Sequence, residues 1–147
     1  MKTKRIKAKY EAWLSTEIIH NDSRKWLSEL MFVKDEQLFF DDLVKSYTLQ
    51  LIDSKYFAKS KIIVEQLSAL QKETNMLIDT IIIHERGLEV MVDGINQIDE
   101  ENAYKDEHGK LIIEVSEFLK KNRTLKTQLF SLIKGIIKEG KQKRLLQ

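Results

Sequence analysis

The sequence contains no cysteine, no proline and only five glycines among its 147 residues. The absence of cysteine excludes disulfides, thiolate metal sites and a cysteine nucleophile. Proline and glycine punctuate turns, so their scarcity argues against a loop-rich or all-β fold. Hydrophobic residues make up 42% and charged residues 33% of the chain, a balance typical of a globular helical domain. We therefore expect a single all-α domain over residues 1–147.

Long apolar runs are also missing. No run reaches the roughly 18–20 residues that a membrane-spanning helix requires, and the best candidate, residues 76–83, contains Asp79. The basic N-terminus is not followed by an apolar segment of the signal-peptide type. We therefore expect a cytoplasmic protein with no integral membrane segment. Glycine-rich phosphate loops and the motifs of serine hydrolases and zinc proteases are absent too, so the sequence predicts no catalytic residue and no cofactor.

The sequence does contain a long apolar repeat between Ile63 and Ile98. Alternating steps of four and three residues connect eleven positions, of which nine are apolar. This repeat is typical of one face of a long helix with coiled-coil-like packing, and the helix would be about 50 Å long. The positions, here called its seam, are Ile63, Leu67, Leu70, Thr74, Leu77, Ile81, His84, Leu88, Met91, Ile95 and Ile98.

Two further segments carry a seam with the same spacing. The segment before the long repeat, predicted as a helix over residues 23–52, has the seam Trp26, Leu30, Val33, Gln37, Phe40, Val44, Tyr47 and Leu51. The segment after it has the seam Tyr104, His108, Leu111, Val115, Phe118, Asn122, Leu125, Leu129, Leu132 and Ile136. Because a long helix cannot bury its own apolar stripe, the three seams are expected to pack against one another.

The connections between helices are predicted from capping and turn residues. Residues 2–19 predict a shorter N-terminal helix, and Asn21-Asp22-Ser23 predicts a break after it. Asp53-Ser54 predicts a tight connection, and the acidic stretch 99–107 predicts the next turn. Short connections make successive helices antiparallel neighbours. The expected fold is thus an antiparallel up-down bundle of three long helices plus a shorter N-terminal helix.

Three polar residues interrupt the seams, one in each long helix. With turns near residues 54 and 100, Gln37 and Thr74 fall at almost the same height, and Asn122 lies within about two turns of them. A hydrogen-bonded polar layer that fixes the register of the helices is one interpretation. A ligand-binding layer inside the bundle is the alternative.

The chain has three histidines, which raises the question of a metal-binding bundle. Paired-metal bundles need two Glu-x-x-His motifs with further inward glutamates, and only Glu17 and His20 have that spacing. The predicted turn places His84 and His108 about 12 Å apart in height. We therefore interpret the histidines as hydrogen-bonded or surface residues and predict no metal ligand. A metal-dependent bundle enzyme is the third-ranked hypothesis for function.

A second apolar ridge lies beside the first seam and consists of Phe32, Phe39 and Leu43. A helix that is apolar on two sides either contacts two neighbours or exposes a patch for a partner. The N-terminal helix is one candidate to cover this ridge. The first-ranked hypothesis is therefore a non-enzymatic interaction or scaffold module that self-associates or docks another helix, with these three residues as the partner-binding anchors.

The net charge of +2 conceals an uneven distribution. Residues 10–133 hold 15 of the 25 basic and 22 of the 23 acidic side chains, a net charge of −7, whereas both ends are basic. We expect residues 1–9 and 140–147 to be flexible. Cations near Tyr10 and Trp13 suit phosphates and stacked bases, which gives the second-ranked hypothesis, an RNA- or ribosome-associated protein. A membrane surface, an acidic protein partner and a solubilising tail are alternatives. The basic residues in question are Lys2, Lys4, Arg5, Lys7, Lys9, Lys138, Lys141, Lys143 and Arg144.

Overall fold

The structure, a computed structural model, describes residues 17–92 and 98–146, and the side chains of 17–87 and 100–146. Three long helices and one short helix account for nearly all of these residues: α1 spans Ile19–Ser46, α2 Thr48–Leu51, α3 Phe57–Val92 and α4 Ile98–Leu146. No strand occurs in the described segments. The predicted all-α bundle with three long helices is confirmed.

Most of the predicted seam residues whose side chains the structure describes lie in the interior. Val44 and Tyr47 are half-buried, and Leu88, Met91, Ile95 and Ile98 lie outside the described side chains. The buried seam residues of α1 are Trp26, Leu30, Val33, Gln37 and Phe40. Those of α3 are Ile63, Leu67, Leu70, Thr74, Leu77, Ile81 and His84. All ten predicted positions of α4, from Tyr104 to Ile136, are buried. A spacing of 3.5 residues keeps one side of each helix facing its neighbours, so the apolar stripes are hidden and most charged side chains remain in water.

The described residues form two compact units, each described here by itself. The first unit takes the described residues up to 32 together with 75–116. In it, Gly87 lies beside the ring of Tyr104, and His84 bonds to His108. His84 precedes Gly87 on α3, whereas its partner His108 follows Tyr104 on α4. The residue numbers therefore run in opposite directions along the contact, so these two helices are antiparallel.

The second unit takes residues 33–74 together with the described residues from 117 onwards. An antiparallel arrangement of α1 and α3 follows from two hydrogen bonds, Gln37 to Thr74 and Gln71 to Asp41. Two ion pairs, Lys121 with Glu73 and Lys55 with Glu139, show the same for α3 and α4. The up-down order of the long helices is therefore observed inside this unit.

The predicted break at Asn21-Asp22-Ser23 is wrong, because all three residues lie inside α1. These residue types favour caps, but the spacing Ile19, Ser23, Trp26 continues the seam of α1 backwards by about two turns. Ser23 is fully buried, since a serine is small enough to sit at a core position. The predicted shorter helix falls on residues 2–19, most of which lie outside the described residues, as do the five basic residues of positions 1–9.

The predicted turn at 99–107 is also wrong, because these residues belong to α4. Tyr104 and His108 are buried seam residues, so the acidic side chains around them point outwards from a helix that is already formed. Gly109 lies inside the same helix.

Residues 140–146 continue the helix as well, and the flexibility predicted for the C-terminal end stays a prediction.

The helix predicted to run to Ile52 is interrupted at Tyr47, which separates α1 from α2. The hydroxyl of Ser46 donates to the carbonyl of Asp42, and that of Thr48 donates to the carbonyls of Val44 and Lys45. Hydroxyl side chains that bond to preceding carbonyls favour bends and helix ends. The predicted connection at Asp53-Ser54 is confirmed: the Asp53 carboxylate accepts a bond from the backbone N–H of Lys55 at 3.1 Å.

The predicted polar layer exists in the second unit. The amide nitrogen of Gln37 donates to the hydroxyl of Thr74 at 3.0 Å and to the carbonyl oxygen of Asn122 at 3.4 Å. All three residues are at most 3% exposed. A slip by one helical turn would leave these groups buried without partners, and an unpaired buried polar group costs about 1–3 kcal/mol. The layer therefore favours a single register.

We predict that Thr74→Val destabilises the protein by about 1–3 kcal/mol, because valine preserves the volume while the Gln37 amide loses its shorter hydrogen bond. Urea unfolding at pH 7 measures the change. The matched control is Thr80→Val, an exposed threonine of α3 whose hydroxyl bonds only to a backbone carbonyl. Equal effects of the two substitutions would show that the layer adds nothing to stability.

Candidate functional site

Two buried histidines meet in the first unit. His84 of α3 and His108 of α4 are 2% and 6% exposed, and Nε2 of His84 lies 3.0 Å from Nδ1 of His108. The predicted separation of about 12 Å is therefore wrong. It rested on a turn near residue 100, whereas the midpoint of 84 and 108 is residue 96. If the turn is misplaced by four residues, each residue of α3 is matched to a residue of α4 that lies eight positions away from its true partner.

Asp22 of α1 extends this pair to all three long helices. Its Oδ2 lies 2.9 Å from Nε2 of His108. Because a carboxylate oxygen accepts, Nε2 of His108 donates, and in the tautomer of His108 that carries this one proton Nδ1 accepts the N–H of His84. The result is a directional chain from His84 through His108 to Asp22, here called the histidine relay.

The far end of the relay is Nδ1 of His84. It has no hydrogen-bond partner among the described residues, and the closest carboxylate oxygen is Oε1 of Glu107 at 3.7 Å. Burial lowers the pKa of His84; His108 adds to this effect, while Glu107 and Glu85 oppose it. His84 is therefore neutral at pH 7, with a lone pair on the Nδ1 that faces Glu107.

Aromatic rings hold both imidazoles in place. Trp26 stacks on His108 with ring centroids 4.8 Å apart, and Tyr104 stacks on His84 at 4.2 Å with the planes 8° apart. The Tyr104 hydroxyl donates to the backbone carbonyl of His84 at 2.7 Å. Burial, with help from Glu85 and Glu107, raises the pKa of Tyr104, so the phenol remains protonated and keeps donating.

This arrangement holds and orders protons, but it does not supply a metal site. Across the described residues, no group of three or more His, Cys, Asp or Glu side chains has a geometry that would hold a metal ion. His20, from the one Glu-x-x-His motif, pairs with Glu85 instead, and Glu17 is exposed. Three of the four imidazole nitrogens of the relay bond to each other or to Asp22, so the arrangement fits a structural hydrogen-bond network.

The predicted partner-binding anchors lie on α1. Phe32, in the first unit, is 67% exposed, and Phe39, in the second unit, is 55% exposed. Leu43 is half-buried. The sequence reasoning missed Met31 and Leu38, which are 53% and 58% exposed. Each directly precedes one of the two phenylalanines but points about 100° away from it, so the spacing of the ridge gave no signal for them.

The basic residues predicted to contact nucleic acid divide into two groups. Lys2, Lys4, Arg5, Lys7 and Lys9 lie outside the described residues. Lys138, Lys141, Lys143 and Arg144 lie in the last turns of α4 and are all exposed. Lys143 is 3.8 Å from Glu139. Basic side chains at a helix C-terminus also interact favourably with the helix dipole, so a structural role accounts for part of this pattern.

Comparison with family models, with curated proteins and with solved structures finds no match to this chain. Among the described helices, none combines the length and the apolar character needed to span a bilayer.

We predict that the unfolding free energy decreases as the pH is lowered from 7 to 5, in part because of His84. Its folded pKa lies below the unfolded value of 6.5, so the unfolded chain binds the extra proton more readily. The contribution of this group is complete above pH 6.5 and is lost as the pH falls towards the folded pKa, at up to about 1.4 kcal/mol per pH unit.

The test compares urea unfolding of the natural protein, His84→Gln and the control His20→Gln at pH 7 and pH 5. Glutamine keeps a donor for His108 but does not titrate in this range. His84→Gln should therefore lose less stability between the two pH values than either the natural protein or the control. A loss in His84→Gln as large as that in the natural protein would show that His84 does not contribute.

Proposed function

We propose that this protein is a non-enzymatic interaction module that self-associates through the exposed apolar face of α1. The observation that carries the proposal is Phe39, a large aromatic side chain that is 55% exposed and lies one turn before the half-buried Leu43 on the same side of α1. Phe39 and Leu43 are here called the α1 face, and Leu38, which is 58% exposed, lies beside it. Phe39 directly precedes the fully buried Phe40, whose ring is 6.3 Å away, so the face borders the core of the second unit.

Exposed aromatic and aliphatic clusters mark interaction sites more often than isolated apolar residues do. Burial of a Leu or Phe side chain contributes about 1.5–3 kcal/mol. In a two-fold symmetric dimer every contact occurs twice, so a small face contributes double to association. This doubling favours a second copy of the chain over an unrelated partner, since association must first overcome the loss of translational and rotational freedom.

The charges on α1 are compatible with self-pairing. The exposed charged residues of its second-unit segment are two of each sign: Lys34, Asp35, Asp42 and Lys45. A surface with balanced charges faces a copy of itself without net repulsion, whereas a strongly acidic or basic surface would favour a partner of opposite charge. The charge pattern therefore supports the second copy as the partner.

We predict that Phe39→Glu weakens self-association by at least about thirtyfold, because an aromatic anchor contributes about 2 kcal/mol or more at an interface. Sedimentation equilibrium over a range of concentrations measures the mass. The matched control is Phe57→Glu, since Phe57 also lies in the second unit and is 51% exposed. A natural protein that is monomeric throughout and captures no copy of itself would contradict the proposal, as would equal effects of the two substitutions.

A second candidate function is RNA or ribosome binding. Exposed basic side chains on the last turns of α4 favour it: Lys138, Lys141 and Arg144. We predict that binding to a single-stranded oligouridine probe falls steeply with salt. Replacing these three residues by Gln should reduce the slope of log affinity against log salt by about 0.7 for each phosphate that the protein no longer neutralises.

The control for the RNA prediction replaces three exposed lysines elsewhere, Lys72, Lys110 and Lys120, by Gln, which removes the same charge. This control should keep most of the salt slope. Binding that does not change between low and moderate salt, or that both triple variants weaken equally, would argue against a specific role of the α4 end.

A further inference from the structure

An open groove lies between α3 and α4 in the second unit, and neither the seams nor the α1 face include it. Its volume is about 690 Å³, inside the range of about 300–1,000 Å³ typical of small-molecule sites. On the α3 side it extends from Lys59 to Gln66, a length of about 10 Å at the rise of a helix, and Lys55 and Tyr56, just before α3, line the same end as Lys59. The groove is therefore large enough for a ligand but too short for a long helix.

One end of the groove is cationic. Lys55 and Lys59 line it. Lys55 forms an ion pair with Glu139 at 3.0 Å, and the Tyr56 hydroxyl donates to the same carboxylate, so the protein itself neutralises Lys55. Lys59 is exposed, and no acidic side chain among the described residues lines the groove. Because Lys55 and Tyr56 already bind the Glu139 carboxylate near this end, Lys59 is the lining cation that remains to meet an anion.

The middle of the groove is apolar. Ile63 and Leu132 form its floor and are 7% and 9% exposed, while Ile62 forms a wall and is 56% exposed. Gly135, which the pairs Lys55–Glu139 and Glu73–Lys121 place level with Lys59, leaves a gap in the α4 side, because a Cβ placed there would meet nothing within 4 Å. This combination of a buried floor, an exposed wall and an open gap suits an aliphatic chain.

The other end of the groove is polar but uncharged. Gln66 of α3 and Thr127 and Gln128 of α4 line it. Amide and hydroxyl groups offer hydrogen bonds that an aliphatic chain cannot accept, so burial of a chain against them is unfavourable. The apolar part of a ligand is thereby limited to the middle of the groove.

We propose that this groove binds a medium-chain aliphatic carboxylate, with its head at Lys59 beside the gap at Gly135 and its chain over Ile63 and Leu132. The free lysine selects the negative charge, and the apolar middle selects the chain. The uncharged polar end sets the upper limit on chain length. The site is independent of the α1 face, so its failure and that of self-association are separate results.

Isothermal titration calorimetry with decanoate, below the concentration at which it forms micelles, tests the proposal. Decanoate should bind at one site, whereas decyltrimethylammonium, which has the same chain and a positive head, should bind at least about tenfold more weakly. Acetate, which has the head without the chain, should not bind measurably. Equal binding of the anionic and cationic probes would overturn the proposal.

Two variants locate the site. Gly135→Leu fills the gap and should abolish decanoate binding, while Gly109→Leu is the control, because Gly109 is an exposed helical glycine of the first unit that also has nothing near its Cβ position. Lys59→Glu should weaken decanoate binding about tenfold and strengthen the binding of the cationic probe. The control Lys61→Glu reverses an exposed charge that does not line the groove.

The variants also allow a loss of ligand binding to be distinguished from a loss of folding. Removal of a helical glycine favours the helix, and the exchange of probe preference in Lys59→Glu requires a folded groove. Retention of decanoate binding in Gly135→Leu, equal loss in Gly109→Leu, or a Lys59→Glu variant that prefers the same probe as the natural protein would each refute the site.

Discussion

The register between the long helices is the constraint on which the rest of the structure depends. An apolar seam holds helices together but tolerates a shift by a whole turn, since one leucine replaces another at a similar position. Buried polar groups do not tolerate the shift, because each must find its hydrogen-bond partner. Each compact unit contains one polar cluster with a residue from α1, α3 and α4. In the first unit the cluster is Asp22, His84 and His108, and in the second it is Gln37, Thr74 and Asn122.

Both clusters fix the register of the helices, but the chemistry of their side chains differs. The cluster of the second unit is neutral, so its hydrogen bonds are insensitive to pH. The histidine relay differs, because burial lowers the pKa of His84 and a proton on its Nδ1 would place a charge in a buried site. The His84 ring lies between the stacked rings of Tyr104 and His108, whose centroids are 4.2 Å and 5.2 Å away. The first unit is therefore the one whose stability is sensitive to mildly acidic conditions.

The seams, the helical class and the Gln37–Thr74 contact were predictable because they depend on residue spacing, which the sequence states directly. The relay was not predictable, since a contact between α3 and α4 depends on the position of their connection. That connection was placed at acidic residues which proved to be the exposed side of α4. Ser23 led to a different error: serine is a residue type typical of helix caps, so a break was predicted there, but Ser23 occupies a core position inside α1. Capping and turn preferences amount to about 1 kcal/mol per residue, and burial of a continuous seam outweighs them.

The exposure of apolar residues next to the seams is explained by helix geometry and not by core packing. Successive residues of a helix point about 100° apart, so an apolar neighbour of a seam residue is exposed at the edge of the core. Phe39 stands in this relation to Phe40, and Ile62 to Ile63. The fold does not require either side chain, because the seam residue already fills the interior. An exposed phenylalanine or isoleucine in such a position carries a cost in solubility without a gain in packing, and contact with a second copy or with an aliphatic ligand removes that cost. The outward positions are therefore where function is to be sought in this protein.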